Sequence, residues 1–155
     1  MSVPPVKKQL IVNASQARCF SVFTDGIDRW WPREHHIGAS PLERMIVEPR
    51  AGGRWYEIAN DGREQPWGKV VAYDAPERLH LIWSLNGQWT YDPEFETNVE
   101  VTFAEDGDHT IVTFEHRDLD RYGDNAEEIR GNYDTGMDGG WRALLDGFQR
   151  AAEEA

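Results

Sequence analysis

Alternation of apolar and polar residues dominates the middle of the chain. Between residues 43 and 117 it recurs in short runs separated by turn residues, and no helical periodicity interrupts them. A period of two predicts strands, and successive strands without intervening helices predict an antiparallel meander. The six runs cover residues 43–48, 54–59, 66–73, 78–85, 96–104 and 109–117.

Three of the breaks between these runs contain turn residues. Their sequences are PRAGG at 49–53, NDG at 60–62 and EDGD at 105–108. Glycine adopts positive φ at little steric cost, and Asn and Asp favour turns. We therefore expect hairpins to close at the second and third of these breaks.

The N-terminal part of the chain predicts one strand and two short helices. Residues 6–12 form a first strand, and Ser15 is a suitable N-cap for a helix that ends near Thr24. A second short helix is predicted at 28–32, where Pro32 disfavours helical geometry at the residue before it.

The C-terminal part predicts one long amphipathic helix. A polar stretch with several glycines runs from Asp118 to about Gly136. Beyond it, apolar residues recur with the i, i+3, i+4, i+7 spacing of a helix, at Trp141, Leu144, Leu145 and Phe148.

The predicted sheet has one apolar face and one polar face. Parity places on the apolar face Leu79, Leu81, Trp83, Leu85, Val99, Val101, Phe103, Val112, Phe114 and His116. Inward positions for Trp55 and Glu57 follow less directly, because Tyr56 and Ile58 compete for the same face. The apolar face must be covered, and only the C-terminal helix is long enough to cover it. The prediction is an α+β domain whose antiparallel sheet curls around that helix.

Composition narrows the classes of protein that fit this fold. A length of 155 residues suits a single domain, 1–155, and a net charge of -12 opposes binding to nucleic acid. The 18 aromatic residues, 7 Trp, 5 Tyr and 6 Phe, exclude a disordered chain. A single cysteine, Cys19, no signal-peptide pattern and no bilayer-spanning apolar run favour a cytoplasmic protein that does not insert into membranes.

The tryptophans are the strongest candidates for a binding site. Large rings rarely pack without gaps, so a sheet and helix rich in them favour a cavity for a small apolar ligand. The predicted ligand-binding residues are Trp31, Trp55, Trp67, Trp83, Trp89, Phe103, Phe114, His116, Trp141 and Leu145.

Two titratable residues are candidates for chemistry. His116 either hydrogen-bonds a ligand or is a satisfied core histidine. Glu57 is either a desolvated carboxylate suited to acid–base work beside His116 or a surface glutamate. The pair His35-His36 lacks a third ligand at metal-binding spacing, which predicts a structural role near the pocket mouth and no metal. No cofactor-binding motif is present in the sequence, so we expect no cofactor.

Several motifs together resemble one known family. They are FxxF at 20–23, WWPREHHIG at 30–38, EPRAGGRWYE at 48–57, WGKV at 67–70, APERL at 75–79 and GW at 140–141. They are similar to homologues of the activator of the heat-shock chaperone ATPase, within the START and birch-pollen-allergen-like (SRPBCC) superfamily. The resemblance covers nearly the whole chain. It implies a helix-grip fold: a curved sheet of about seven strands around a long C-terminal helix, two short helices after the first strand, and a hydrophobic cavity.

Three functions are compatible with these observations. The first is binding of a small hydrophobic or aromatic molecule, in keeping with the superfamily and a role in stress. The second is an enzyme that acts on such a ligand with His116 as acid or base. The third, from the resemblance alone, is an accessory protein of a heat-shock chaperone. A homodimer is left open.

Overall fold

The computed structural model describes residues 3–154, and within that range seven antiparallel strands form one sheet in the order β1-β7-β6-β5-β4-β3-β2. The strands are β1 (Val6–Val12), β2 (Leu42–Val47), β3 (Arg54–Ala59), β4 (Glu64–Asp74), β5 (Arg78–Trp83), β6 (Thr97–Asp106) and β7 (His109–Arg117). The meander β2 to β7 was predicted, and β1 extends the sheet by pairing with β7.

Two short helices follow β1, as predicted. In α1 (Gln16–Phe23), the Ser15 side chain accepts a hydrogen bond from the backbone N–H of Arg18, which satisfies one free amide of the first turn. The second helix is α2 (Ile27–Trp30). Trp31 follows it with an extended backbone, which fits the restriction that Pro32 imposes on the residue before it.

The turns fall where the sequence predicts them. Gly62 and Gly107 both have positive φ, at 89° and 62°, and they close the β3-β4 and β6-β7 hairpins. Pro66 lies inside β4 but at an irregularity, because Trp55 pairs with Gly68 while Tyr56 pairs with Pro66. A bulge tolerates the missing N–H of proline in a strand.

The long helix α4 (Gly136–Glu153) lies across the inner face of the sheet. Its C-terminal half is in a closed aromatic core, where Phe148 packs 5.0 Å from Phe23 and 5.7 Å from Trp30 between ring centroids. Phe103 adds an edge contact at 5.9 Å from Phe23. The N-terminal half of α4 has different surroundings, and a cavity lies beside it.

Between β7 and α4 the structure is more ordered than the polar stretch predicts. Residues Leu119–Asn125 form 3₁₀ turns on either side of a kink at Gly123 (φ 73°, ψ -138°), and α3 (Ala126–Arg130) follows directly. Few apolar residues anchor them, chiefly Leu119 and Ala126, so sequence periodicity could not reveal helices this short. Tertiary contacts hold them in place.

The chain has the helix-grip fold, a mixed α+β architecture, as predicted. In residues 3–154 no helix is both long enough and apolar enough to cross a membrane.

Candidate ligand-binding cavity

A cavity of about 400 Å³ opens beside the N-terminal half of α4. Its other walls are β4, β5 and the segment that leads from α2 to β2. The lining residues are Trp31, Glu34, His35, His36, Ile37, Trp67, Trp83, Leu85, Trp89, Gly136, Met137, Gly140, Trp141 and Leu144. The volume lies within the usual range of small-molecule sites, about 300–1,000 Å³.

The walls are mainly tryptophan rings set at steep angles to one another. Trp67 lies 5.4 Å from Trp31 at 86° and 5.3 Å from Trp83 at 88°, measured between ring centroids. Trp141 from α4 lies 5.7 Å from Trp83 across the interior. Edge-to-face packing is the favourable arrangement for aromatic rings, so these walls support one another without a ligand.

Glu57 lies on the inner face of β3 and is fully buried. Its carboxylate accepts hydrogen bonds from the backbone N–H groups of Ile37 (2.7 Å) and Gly38 (3.1 Å) and from the Trp67 indole (2.7 Å). Three N–H donors compensate the buried carboxylate for the water it has lost. Glu57 thereby fixes both a wall ring and the backbone at the mouth of the cavity.

His116 is fully buried behind the cavity, and both of its ring nitrogens are engaged. The Trp141 indole N–H donates to Nδ1 (3.1 Å), so the proton of the neutral ring is on Nε2, which donates to the Thr97 hydroxyl (2.8 Å). Thr97 in turn donates to the Trp83 carbonyl (3.1 Å). Burial lowers the pKa of His116 to about 3, which keeps the ring neutral near pH 7.

Two more wall indoles, those of Trp31 and Trp83, also donate to protein acceptors. Trp31 donates to the His35 carbonyl (2.8 Å), and Trp83 donates to the Tyr122 hydroxyl (3.0 Å), which donates to the Leu85 carbonyl (2.7 Å). Four wall tryptophans therefore present ring surface to the cavity. Their N–H groups are used inside the protein.

The polar part of the lining is confined to three successive residues at the mouth. Glu34 is exposed, while His35 and His36 are half-buried. Nδ1 of His36 lies 3.0 Å from the Gly38 carbonyl, whereas the buried Nδ1 of His35 has no hydrogen-bond partner among residues 3–154.

The residues predicted for the ligand site divide into two groups. Those that line the cavity are Trp31, Trp67, Trp83, Trp89 and Trp141, and those that lie in the surrounding core are Trp55, Phe103, Phe114, His116 and Leu145. Parity assigned the second group to the inner face of the sheet or helix, where the structure has them. The alternation of residues along a strand does not tell which part of α4 each residue contacts. The cavity lies at one end of α4, so alternation could not separate the two groups.

Several lining residues were not predicted. Met137, Gly140 and Leu144 share the face of α4 that carries Trp141, so helical periodicity could have identified them. Tyr122, which holds Trp83 from behind, had no such signal, because its 3₁₀ helix is too short to show a pattern.

The described residues provide neither a reactive cysteine nor a set of metal ligands at this site. Cys19 is buried in the core, and burial raises the pKa of its thiol, which favours the unreactive protonated form. Among the described residues, no three His, Cys, Asp or Glu side chains come together as metal ligands.

Comparison with known proteins was made at the level of family and structure. The family model described as activator of Hsp90 ATPase homolog 1-like protein matches residues 13–153. No curated protein matches the chain.

Two solved structures are similar both in sequence and in fold. The anthrahydroquino-gama-pyrone synthase Txn09, complexed with SUM, is 33% identical, with a TM-score of 0.65 over 96% of this chain and 97% of that one. CalC from Micromonospora echinospora, a self-sacrificing resistance protein, is 32% identical, with a TM-score of 0.67 over 96% of this chain and 94% of that one. The Aha1 dimer from Colwellia psychrerythraea shares the fold, at 14% identity and a TM-score of 0.66 over 97% of both chains.

Proposed function

The chain belongs to the family of activator of Hsp90 ATPase homolog 1-like proteins, and from that premise we propose that it binds a flat, largely apolar molecule beside α4. One observation carries the proposal. A cavity of about 400 Å³ is lined by five tryptophans, and four of them donate their N–H groups to acceptors inside the protein. Such walls offer ring faces and edges, which suit an aromatic or aliphatic ligand.

Rigidity of the walls supports the same function. Trp67 is held by Glu57, Trp141 by His116 and Trp83 by Tyr122, so few rings need to be ordered when a ligand enters. A site formed in advance loses less affinity to the ordering of side chains.

One of the two similar structures narrows the class of ligand. It is named as a synthase of an anthrahydroquino-gama-pyrone, which is a fused-ring aromatic compound, and its chain is 33% identical to this one. We therefore propose a polycyclic aromatic ligand ahead of a flexible lipid. A planar ring system can stack on one wall ring while the neighbouring ring, set at a steep angle, contacts its edge.

Gly140 allows a direct test of the cavity. A Cβ built at this helical position meets no atom within 4 Å, and Gly140 lines the cavity. A leucine there would project into the open space. Since Leu is a strong helix former, whereas Gly is about 0.8–1.0 kcal/mol less favourable than Ala inside a helix, Gly140→Leu should leave the fold intact.

We expect Gly140→Leu to weaken binding of polycyclic aromatic probes such as anthraquinone by about tenfold or more, measured by quenching of tryptophan fluorescence. Ala143→Leu is the matched control, because Ala143 is an exposed residue of the same helix and does not line the cavity. Unchanged binding in Gly140→Leu, or no binding of any apolar probe by the wild-type protein, would contradict the proposed site.

An enzyme is the second candidate, favoured by the similarity to a synthase. A general acid or base must reach its substrate, and Glu34 and His35 are the titratable lining residues best placed to do so, whereas both nitrogens of His116 have protein partners. Conversion of a bound aromatic substrate that is lost in His35→Ala, with affinity retained, would support catalysis. Unchanged turnover in that variant would remove His35 from the mechanism.

A further inference from the structure

We infer that the ligand carries a hydrogen-bond donor and no negative charge at the end that lies against Glu34 and His35, and that the cavity discriminates against carboxylates. This inference rests on the proposed function and names the polar chemistry of its ligand. An amine or a phenolic hydroxyl on a polycyclic aromatic body has the required character.

The interior of the cavity offers a ligand little hydrogen bonding. The indoles of Trp31, Trp67, Trp83 and Trp141 donate to protein acceptors. A polar group placed deep among these rings would lose its water without replacement, which is unfavourable. The polar end of any ligand must therefore face the mouth.

The mouth has the opposite character. The backbone of His35 is fixed at both groups, since its N–H donates to the Pro32 carbonyl (3.1 Å) and its carbonyl accepts from the Trp31 indole (2.8 Å). Its imidazole lines the cavity. Nδ1 is buried and has no partner among the described residues, whereas Nε2 makes no hydrogen bond among them either and is the nitrogen that a ligand can reach. A held residue with unspent hydrogen-bonding capacity is suited to orienting a ligand.

Charge determines which polar group fits. Glu34 contributes an exposed carboxylate to the lining, and the lining residues that the structure describes include neither Lys nor Arg. The whole chain carries a net charge of -12. A carboxylate on the ligand would meet like charge with no cation to pair with, whereas a hydroxyl or amine can donate to the Glu34 carboxylate.

The test compares probes that share one ring system: anthracene, 2-aminoanthracene, 2-hydroxyanthracene and anthracene-2-carboxylate. At about pH 7, we expect the amino and hydroxy probes to bind the wild-type protein about tenfold more tightly than the carboxylate. His35→Phe should weaken binding of the amino and hydroxy probes by about fivefold or more and leave the affinity for anthracene unchanged.

The variant Glu34→Gln isolates the charge. It should tighten binding of anthracene-2-carboxylate by about threefold or more. The difference in affinity between this variant and the wild type should shrink as the salt concentration rises. Glu43→Gln is the matched control, since Glu43 is exposed on β2 and does not line the cavity. Thermal unfolding of each variant confirms that the fold is retained.

The outcomes separate the inference from the proposed function. If anthracene binds and the carboxylate binds as tightly as the amino probe, the inference is overturned and the apolar site stands. If anthracene and all its derivatives fail to bind, the proposed function is overturned together with the inference. If the wild-type protein binds the carboxylate more tightly than the amino probe, and Glu34→Gln does the same, the carboxylate is bound at a cationic site elsewhere and the inference is also overturned.

Discussion

At the scale of single residues, His116 shows how a polar side chain is accommodated in an aromatic core. One ring nitrogen accepts from Trp141 and the other donates to Thr97, so the neutral ring is fully satisfied while the imidazolium would lose the Trp141 bond. Protonation therefore opposes folding. The consequence is a dependence of stability on pH.

The sign of this dependence follows from the two pKa values. Burial lowers the pKa of His116 from 6.5 to about 3, so below pH 6.5 the unfolded chain takes up a proton that the folded chain does not. The stabilising contribution of the neutral ring is fully present above pH 6.5 and is lost as the pH falls towards 3. Each pH unit in this window removes about 1.4 kcal/mol from the free energy of unfolding.

We predict that His116→Gln removes this slope between pH 6.5 and about pH 5, a window above most carboxyl titration. Urea unfolding at several pH values measures it. His109→Gln is the control, because His109 is exposed and should leave the wild-type slope unchanged. An identical slope in His116→Gln and wild type would show that His116 is not the group responsible.

At the scale of elements, the mouth of the cavity depends on an attachment between β3 and the segment that follows α2. Glu57 of β3 accepts from the N–H groups of Ile37 and Gly38. The same carboxylate holds the Trp67 indole of β4. Loss of this group would free a loop and a wall ring together.

Glu57→Gln should lower the free energy of unfolding by about 1–3 kcal/mol, because the new NH₂ group faces an N–H that formerly had an acceptor. It should also weaken binding of apolar probes, since the mouth and Trp67 lose their support. Urea unfolding and fluorescence titration measure the two effects.

Glu64→Gln is the matched control for this change. Glu64 is an exposed residue of β4 that pairs with Arg54 at 3.0 Å, and such surface pairs contribute at most about 1 kcal/mol. Equal, small effects of the two substitutions would contradict the supporting role of Glu57.

At the scale of the whole molecule, a largely buried ion-pair cluster joins the N-terminal strand to the start of the C-terminal helix. Asp138, in the first turn of α4, pairs with Lys8 of β1 and accepts from the backbone N–H of Tyr133 (2.9 Å), with Arg130 at 3.6 Å. Both Asp138 and Lys8 are largely buried, at 11% and 19% side-chain exposure. The cluster fixes the end of α4 that borders the cavity.

We expect Asp138→Asn to destabilise the fold by about 1.5–3 kcal/mol, because Lys8 keeps its charge and loses an ionised acceptor. Asp134→Asn is the control, since the Asp134–Arg142 pair (2.9 Å) is exposed, and it should change stability by less than about 1 kcal/mol. Chemical denaturation compares them, and equal effects would argue against a special role for the buried cluster.

Other properties of the whole molecule stay predictions. The sequence led us to expect a cytoplasmic location and left open a heat-shock chaperone as partner and a homodimer, and the family is compatible with each.

The sequence by itself determined the seven strands, the helices α1, α2 and α4, their order, and the inner face of most of the sheet. Strand and helix periodicities are local properties, so β1, the hairpins at Gly62 and Gly107, and the apolar face of α4 could be derived from neighbouring residues alone. The family followed from motifs spread along the chain.

Only the tertiary structure decided where the cavity lies and which polar groups remain available in it. The hydrogen bonds of Glu57, His116 and Tyr122 join residues 10 to 39 positions apart. A periodic pattern can place each residue on a face but cannot pair it with a partner from another element. The physical reason is that burial depth and hydrogen-bond partners depend on how the sheet curves around α4, and that curvature is a property of all the packed elements together.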